Sequence, residues 1–447
     1  MGFSAGFQWE NHLSVVGCLT YGKFWNRRVQ AASAKELQKM QLKLLRMQVR
    51  RVYGKSRFYR RKFKACGLEP SSIRSLDDVR RLPFVSREEL ESDFEDVLAV
   101  PFSSLATVRM TSGTTGHPLK VAHTKRDVGL VAEASARKLT YHGVTSKDVV
   151  QVTAAYGLWQ GGWSAHWGAE RIGACVVPVG PGDTERQIRL IRQLRSTVLY
   201  GATNFQFRIL EVARALGESV DGYDLRVGIC VAERPNEAQI GELVNGFGYE
   251  KVAIDYGATE FPGFSVNCDV DGLSHHVWAD FYLVEAVDPE THEPLSEGER
   301  GELVITSLQR EAFPLVRYLS RDVTSLAGFE RCSCGMCHPK VGVDIDREDF
   351  MTKVRGVPVF PSHVEVILGE FPVLTGRCQI LVDKRTPSQE AALRVELREA
   401  VSQAEQRVLR QGIVEAVRNR VGVTFNDLTF VPEGTFEGKY AKTVVTK

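Results

Sequence analysis

Between about residues 100 and 260, short β-rich runs alternate with helix-like stretches, and that order admits few folds other than a parallel sheet covered by helices. The runs 149–153, 174–179, 197–200, 227–231 and 251–256 are dense in Val, Ile, Thr and Tyr. Residues 185–194 and 238–245 lie between them with helical spacing. Strands joined through helices make βαβ units. From 281 to 345 the period shortens toward two and turn residues multiply, which predicts antiparallel β structure. A polar stretch, 347–356, then leads into a segment with strands of its own and a long helix over roughly 388–420. The expected fold class is α/β. A large N-terminal domain, 1–346, holds mostly parallel sheets and an antiparallel β subdomain, and a small mobile C-terminal α+β domain spans 347–447.

Upstream, residues 34–65 are rich in Lys, Arg, Leu and Gln with helical spacing, as in Leu37, Met40, Leu44 and Met47. They predict an amphipathic helix packed on the main body. Ser86 followed by Glu88 and Glu89 marks a helix N-terminus.

Composition narrows the function. Lys plus Arg is 57 and Asp plus Glu is 55, a formal charge of +2, too balanced for nucleic acid or an anionic membrane as the main partner. No apolar run reaches the roughly 18–20 residues that span a bilayer. The apolar patch 13–19 follows Glu10 and His12 instead of a basic flank, and the expected compartment is the cytosol. Of nine Cys, five are scattered: Cys18, Cys66, Cys175, Cys230 and Cys378. The other four recur near histidines. Cys332, Cys334, Cys337 and His338 fall within seven residues, with Cys268, His275 and His276 upstream. In a chain of this kind such clustering suits metal better than disulfide, and Zn²⁺ takes four N or S ligands in structural sites.

The stretch Thr111, Ser112, Gly113, Thr114, Thr115, Gly116, His117, Pro118 follows a probable strand end at 108–110. Its glycines allow backbone N–H groups to converge, and its hydroxyls suit an oxyanion cluster such as the phosphates of ATP. It lacks the Gly-Lys-Ser/Thr ending of a Walker loop.

The order Ser-Gly-Thr-Thr-Gly then Pro resembles the signature of the acyl-adenylate-forming superfamily. From about residue 35 onward the chain looks most like the phenylacetate-CoA ligases. The segments that carry the resemblance include Ser56 to Arg60, Leu76 to Phe84, Tyr156 to Gly162 and His166 to Glu170. The turn Ala232, Glu233, Arg234, Pro235 resembles the family's adenine-side turn, and Asp255, Tyr256, Gly257, Ala258, Thr259, Glu260 resembles its Tyr-Gly-x-Thr-Glu motif. The resemblance implies that Tyr256 and neighbouring backbone hold adenine, that Thr259 lies near the α-phosphate, and that Glu260 binds Mg²⁺. Asp322 is implied to take the ribose hydroxyls and Arg347 to assist. Asp349 matches the hinge, and Lys439, after Glu437 and Gly438, matches the catalytic lysine. Four positions depart from the family: His117 stands for Lys, Leu319 for Arg, Arg321 for Gly and Asp346 for Gly.

The same resemblance places His276 and Asp280 on a family segment, which selects Cys268, His276, Cys332 and Cys334 as the zinc ligands, with His275 and Cys337 as alternates. It implies an aryl pocket from Tyr156, Trp159, Gly162, Trp163, His166, Asn204, Phe205, Ala232, Ala258, Phe261 and Pro262. The rings suit a flat substrate. Asn204 and Phe205 occupy the place of a Ser-Tyr pair, which points toward a hydroxy- or amino-substituted ring. The activity implied is ATP- and Mg²⁺-dependent formation of an aryl-AMP and transfer to coenzyme A, with a homodimer as the expected assembly. Two alternatives stay open: transfer to an amine or carrier protein, and a catalytically idle zinc-stabilised nucleotide-binding module.

Overall fold

A computed structural model describes residues 23–446 apart from 112–117, 219–221, 233, 236, 271, 273, 344, 348–351, 355–356, 360, 384–389, 400 and 437–443. The chain opens with α1 (Arg27–Gln30), α2 (Ala34–Lys55) and α3 (Arg57–Ala65). The basic stretch is therefore two helices. It breaks at Ser56, whose hydroxyl accepts the Tyr59 amide and caps α3. The buried face of α2 is Leu37, Gln41, Leu45, Gln48, Val49 and Val52, while Met47 is exposed. The expected stripe is thus rotated, and the cause is polar. Gln41 Nε2 donates to the Tyr282 carbonyl at 3.0 Å and Gln48 Nε2 to the Arg310 carbonyl at 2.8 Å. Carbonyls in a buried seam need donors, a demand that apolar periodicity does not report.

Next come α4 (Arg87–Ser92), started by a capping box between Ser86 and Glu89, and α5 (Phe94–Val97). The strands β1 (Leu105–Met110) and β2 (Lys120–Thr124) pair antiparallel on either side of the Ser/Thr/Gly loop. The α/β part follows as α6 (Lys125–Tyr141), β3 (Val149–Val152), α7 (Gln160–Ile172), β4 (Cys175–Val177), α8 (Thr184–Gln193), β5 (Val198–Ala202), α9 (Thr203–Ala215), β6 (Val227–Val231), α10 (Glu237–Phe247) and β7 (Lys251–Ile254). These five strands make one all-parallel sheet in the order β4-β3-β5-β6-β7. Val150, Val198, Tyr200 and Ile229 pack on Leu139, Ala165 and Ala169 of α6 and α7. Leu199 and Cys230 pack on Ile188, Phe207, Leu210 and Leu243 of α8 to α10. Both faces are dry, which is why these runs carry few charges.

Helices α6 and α7 cross so closely that a Cβ on Gly168 would stand 2.5 Å from Ser135 Cβ and 2.9 Å from the Ser135 carbonyl carbon. Gly168→Ala is expected to destabilise the fold by about 1–3 kcal/mol through overpacking. Gly241→Ala on α10, where nothing lies within 4 Å, should be neutral or stabilising by about 0.5–1 kcal/mol. Urea midpoints of the two variants check this; equal midpoints would contradict the close crossing.

A second sheet holds β8 (Ser265–Asn267), β9 (Ser274–Val277), β10 (Tyr282–Val287), β11 (Arg300–Ser307), β12 (Tyr318–Ala327), β13 (Lys340–Gly342) and β14 (Asp346–Arg347). Its order is β10-β11-β12-β13-β9-β8, with β14 added on β12, and every pairing is antiparallel. Its core, with Phe264, Trp278 and Phe313, is continuous with Leu45, Tyr59 and Phe63 of the N-terminal helices.

The remaining elements are β15 (Thr352–Val354), β16 (Val357–Val359), α11 (Pro361–Leu368), β17 (Leu374–Asp383), β18 (Glu390–Leu397), α12 (Gln403–Val421), β19 (Asp427–Val431) and β20 (Val444–Thr446). Four of the strands form a mixed sheet, β19-β18-β17-β20, over a separate core that includes Val364, Ile380, Leu393, Val395 and Ile413. The long helix expected over 388–420 needs correction, because its first third is strand β18. Ala391, Leu393, Val395 and Leu397 are buried at a spacing of two, and pairing on both edges overrides the helix-favouring Glu, Ala, Leu and Arg of that run. The helix proper begins at a capping box between Ser402 and Glu405. Among the described residues no helix is long and apolar enough to cross a membrane.

Candidate functional site

A cavity with about 500 Å³ of open space is walled by Tyr200 of β5, Val231 and Ala232 at the end of β6, and the segment after β7. Ligands of open α/β sheets sit at the carboxyl ends of the strands, where chain leaves the sheet and side chains are free to face one another. From the predicted residues, Trp159, Ala232, Asp255, Gly257, Ala258, Thr259 and Pro262 line it. Ala232 holds φ +68°, a left-handed conformation that a Cβ makes costly and that turns the chain out of the sheet here.

Beside Thr259, the Glu260 side chain is buried. Arg87 Nη1 donates to Glu260 Oε1 at 2.9 Å, and its Nη2 donates to Thr111 Oγ1 at 2.6 Å. The same Thr111 oxygen accepts the Leu119 amide at 3.0 Å, and the Thr111 amide donates back to the Leu119 carbonyl at 3.1 Å. One guanidinium thus joins the carboxylate to the clamped ends of the Ser/Thr/Gly loop. Glu91 takes Arg87 Nε at 2.7 Å, so the buried cation has a second carboxylate partner. Charge-assisted bonds of this kind fix geometry as well as charge.

The Tyr256 hydroxyl donates to Asp322 Oδ2 at 2.8 Å, which brings together the residues expected at adenine and at ribose. Asp322 pairs with Arg347 across β12 and β14. Arg321, standing where the family has Gly, adopts φ +62°. Its amide donates to Glu302 Oε1 at 2.8 Å and its guanidinium pairs with Glu88. The left-handed turn that favours Gly is kept, with strain offset by two anchors.

Five aromatic residues expected to line the pocket do not border this cavity. Tyr156, Trp163 and His166 pack on one another, with Tyr156 Oη 3.2 Å from His166 Nδ1, and Trp163 lies 4.4 Å from the Arg109 guanidinium. Phe205 packs on the opposite face of the parallel sheet, in the core under α8 to α10. Phe261 is buried against Tyr256 and Phe264. Phe205 and Phe261 are taken up by cores, Tyr156, Trp163 and His166 by a partly exposed aromatic cluster, and residue type alone does not distinguish such rings from lining ones. Gly162 lies against the Ala154 and Ala155 carbonyls, 2.9 and 2.6 Å from where a Cβ would stand. Asn204, in the first turn of α9, is buried. Arg234 is exposed and Pro235 buried, just before α10. Ser112, Gly113, Thr114, Thr115, Gly116, His117, Glu233, Asp349 and Lys439 lie outside the described residues.

Seven lining residues were not expected: Lys138, Gln160, Gly161, Ser164, Tyr200, Val231 and Gly263. Of these, Lys138 of α6 and Tyr200 of β5 both reach Asp255. The signal for Lys138 exists in the sequence, since it falls in phase with Val131, Ala134 and Ser135 on the buried face of α6. Burial pushes the Asp255 carboxyl up, but Lys138 and the Tyr200 hydroxyl outweigh it and hold the group below the ordinary carboxylate range.

On the far side of Tyr256 a second cluster forms. Ligand atoms of Cys268, His276, Cys332 and Cys334 lie within 4.8 Å of one another, all buried. Cys334 Sγ is 3.2 Å from His276 Nε2, and Cys268 Sγ is 3.7 Å from Cys332 Sγ. His276 Nδ1 sits 3.2 Å from the His338 carbonyl, a contact that orients the ring and leaves Nε2 for the sulfurs. His275, one step along β9, faces the other way, its ring 5.8 Å from that of Tyr256. Cys337 belongs to a separate group with Leu37 and Ala279. The four grouped side chains, soft and tetrahedral in number, fit Zn²⁺.

Comparison with known proteins follows this geometry. A family model described as AMP-binding enzyme matches residues 60–309, and one described as AMP-binding enzyme C-terminal domain matches 356–446. The phenylacetate-coenzyme A ligase of Thermus thermophilus is 36% identical over 89% of this chain and 93% of its own. That of Escherichia coli is 35% identical over 83% and 85%. Among solved structures, 2-hydroxyisobutyryl-CoA ligase in complex with 2-HIB-AMP and CoA, in the thioesterification state, has TM-score 0.87 at 26% identity, covering 98% of this chain and 95% of that one. The same ligase in its postadenylation state gives 0.69.

Proposed function

This chain belongs to the phenylacetate-coenzyme A ligase family of AMP-binding enzymes, and from that premise we propose that it activates an aromatic carboxylic acid with ATP and passes the acyl group to coenzyme A. It is an AMP-forming acid–thiol ligase. In the first step a carboxylate oxygen attacks the α-phosphorus of ATP, and pyrophosphate leaves. In the second the thiol sulfur attacks the acyl carbonyl, and AMP leaves as the thioester forms.

The observation that carries the reading is the convergence at one cavity edge. Thr259 lines the cavity, and its chain neighbour Glu260 is joined to Thr111 through Arg87. Thr111 to Gly116 is assigned to the ATP phosphates, with Ala232 to Pro235 and Tyr256 beside adenine. Asp322, with Arg347 behind it, takes the ribose hydroxyls. Thr259 is assigned to the α-phosphate, and Glu260 would hold Mg²⁺, which would supply charge neutralisation at the phosphates. Lys439 is assigned to the charge that builds between carboxylate and α-phosphate. Asp349 is assigned as the pivot that brings Lys439 in for adenylation and away for thioester formation. The solved 2-hydroxyisobutyryl-CoA ligase occurs in separate postadenylation and thioesterification states, a precedent for such a two-position cycle. Cys268, His276, Cys332 and Cys334 are assigned to a structural Zn²⁺. Four ligands complete its shell, so it has no open position for chemistry. A homodimer in the cytosol completes the reading on family resemblance, and light scattering of the purified protein tests the assembly.

The activity test is acid-dependent pyrophosphate release over a panel of benzoates and phenylacetates, with the thioester read by mass spectrometry. Release and aryl-CoA together are the expected result. Release followed by acyl transfer only to an amine or carrier protein would overturn the acceptor, and no release with any acid would overturn the activity. Lys439→Ala should lower release by about 100-fold or more.

A further inference from the structure

The cavity contains a charged group that an unsubstituted aromatic ring would leave partly unpaired. Lys138 is 2% exposed and Tyr200 1% exposed, yet both border open space. The Lys138 ammonium pairs with Asp255 Oδ2, and the Tyr200 hydroxyl donates to the same oxygen at 2.5 Å. Among the described residues, the ammonium has no other hydrogen-bond partner, and Asp255 Oδ1 has none. Two N–H directions and one carboxylate oxygen therefore remain to be filled at a wall of the cavity. Water can fill them in the free protein. A ligand that displaces that water must replace its bonds or leave buried charge unpaired, at a cost of about 1–3 kcal/mol per group.

The cavity has two chemically different sides. Thr259 adjoins Glu260 and, through Arg87, Thr111, which is where the reacting carboxylate must meet ATP. Lys138 and Tyr200 come from α6 and β5. The rest of the lining combines small residues, Gly161, Ala232, Gly257 and Ala258, with the Trp159 ring. That leaves a slot for a flat ring, with its distal substituent toward Lys138.

We propose that the acid this chain activates is a hydroxyaryl acid, whose ring hydroxyl accepts a hydrogen bond from Lys138 and donates one to Asp255. The assignment rests on the ligase reading above and names its substrate class. Hydroxyl is the group whose inventory matches, since it offers one O–H donor and two lone pairs. A ring amine donates but accepts poorly, which leaves the ammonium unfilled. A carbonyl or ether accepts only, which leaves Asp255 Oδ1 unfilled. A second carboxylate on the ring would face Asp255, a like charge at hydrogen-bonding range. Tyr200 keeps the pair in register: by donating to Oδ2 it leaves Oδ1 for the ligand. The depressed Asp255 pKa agrees, because the carboxylate stays ionised and accepting at neutral pH.

The test uses matched acids, benzoate and phenylacetate against their 2-, 3- and 4-hydroxy forms, with the full chain. Two readouts run in parallel: acid-dependent pyrophosphate release, and calorimetric binding of the acid, which needs no turnover. The expected result is that the best hydroxy acid exceeds its parent by about 100-fold in kcat/KM, the discrimination of a site built to bond a hydroxyl. In Lys138→Met that ratio should fall below about tenfold. Should the single variant not fold, Lys138→Met/Asp255→Leu removes both charges at similar bulk, and the same fall is expected. Parent and hydroxy acids turned over within about threefold of each other would overturn the proposal and leave the ligase reading intact. An unchanged ratio in the folded variants would overturn it equally. Preferential binding of hydroxy acids without pyrophosphate release would uphold the hydroxyl contact with Lys138 and Asp255 but overturn the ligase reading, and with it activation of the acid. No binding and no release with any acid would count against both.

Discussion

Glu260→Gln lowers acid-dependent pyrophosphate release by about two to three orders of magnitude while the protein stays folded. The size is that of losing one preorganised charge contact at a phosphoryl site, roughly 10²–10³ in rate. The fold survives because the local bonds are nearly kept. Arg87 still reaches Glu91 at 2.7 Å and Thr111 at 2.6 Å, and the glutamine carbonyl can accept from Nη1 as Oε1 does at 2.9 Å. Stability should drop by about 1–3 kcal/mol, less than the roughly 3–5 kcal/mol for stranding a buried charge. The two roles open to Glu260, holding Arg87 and holding Mg²⁺, separate in one titration. If the carboxylate binds the metal, raising Mg²⁺ restores part of the lost rate. If it only positions Arg87, Mg²⁺ has no effect, and Arg87→Met reproduces the defect. Arg87→Met also frees Thr111, so a raised KM for ATP is expected from it, with a smaller fall in kcat. A Glu260→Gln enzyme within tenfold of wild type would remove Glu260 from the metal role.

The contrast between Glu260 and Arg87 marks where sequence reading reaches and where it stops. Glu260 was legible because Tyr-Gly-x-Thr-Glu is a contiguous run whose spacing is itself the signal. Arg87 lies 173 positions upstream in a helix whose only local mark is the Ser86–Glu89 capping box. Contacts at that separation arise from tertiary packing, and one sequence carries no record of them. The parallel sheet was legible for the same reason as the motif, since each strand is a short local run buried on both faces. Strand β18 was not, because its residues favour helix locally and become a strand only between β17 and β19. The expected aryl pocket divides in the structure: Trp159, Ala232 and Ala258 border the cavity, Phe205 and Phe261 are core rings, and the polar lining of Lys138 and Tyr200 was not singled out from sequence. Aromatic residues mark burial, whereas a lysine on a buried helix face marks a demand for a partner, which is the more specific clue.

If the four grouped Cys and His side chains hold zinc as proposed, removing it should have the largest effect on stability. Replacing Cys334 by Ser, or stripping metal with a strong chelator, is expected to cost about 3–5 kcal/mol and to lower Tm by roughly 10 °C or more. The ligands come from two places, the β8–β9 hairpin with Cys268 and His276 and the Cys332–Cys334 turn before β13, so a metal here would add a cross-link between segments already joined by β9–β13 pairing. Without it, three buried thiols and an imidazole crowd within 4.8 Å with no group to share them, and the turn 332–338 keeps the His338 contact and the β9–β13 pairing as its anchors to β9. The consequence extends to the nucleotide side. His275 and His276 point to opposite faces of β9, so the strand that carries a metal ligand also packs the ring of His275 at 5.8 Å from Tyr256, whose hydroxyl holds Asp322. Loosening β9 should therefore raise the KM for ATP more than it lowers kcat. Metal analysis of the purified wild type should give about one zinc per chain, lost in Cys268→Ser, Cys332→Ser and Cys334→Ser but retained in Cys337→Ser, whose sulfur packs elsewhere. A wild type free of metal, or a Cys334→Ser protein with unchanged metal content and Tm, would show that the four side chains are held by packing alone. A Cys337→Ser protein that lost its zinc would move the fourth ligand to Cys337 and displace one of the assigned four.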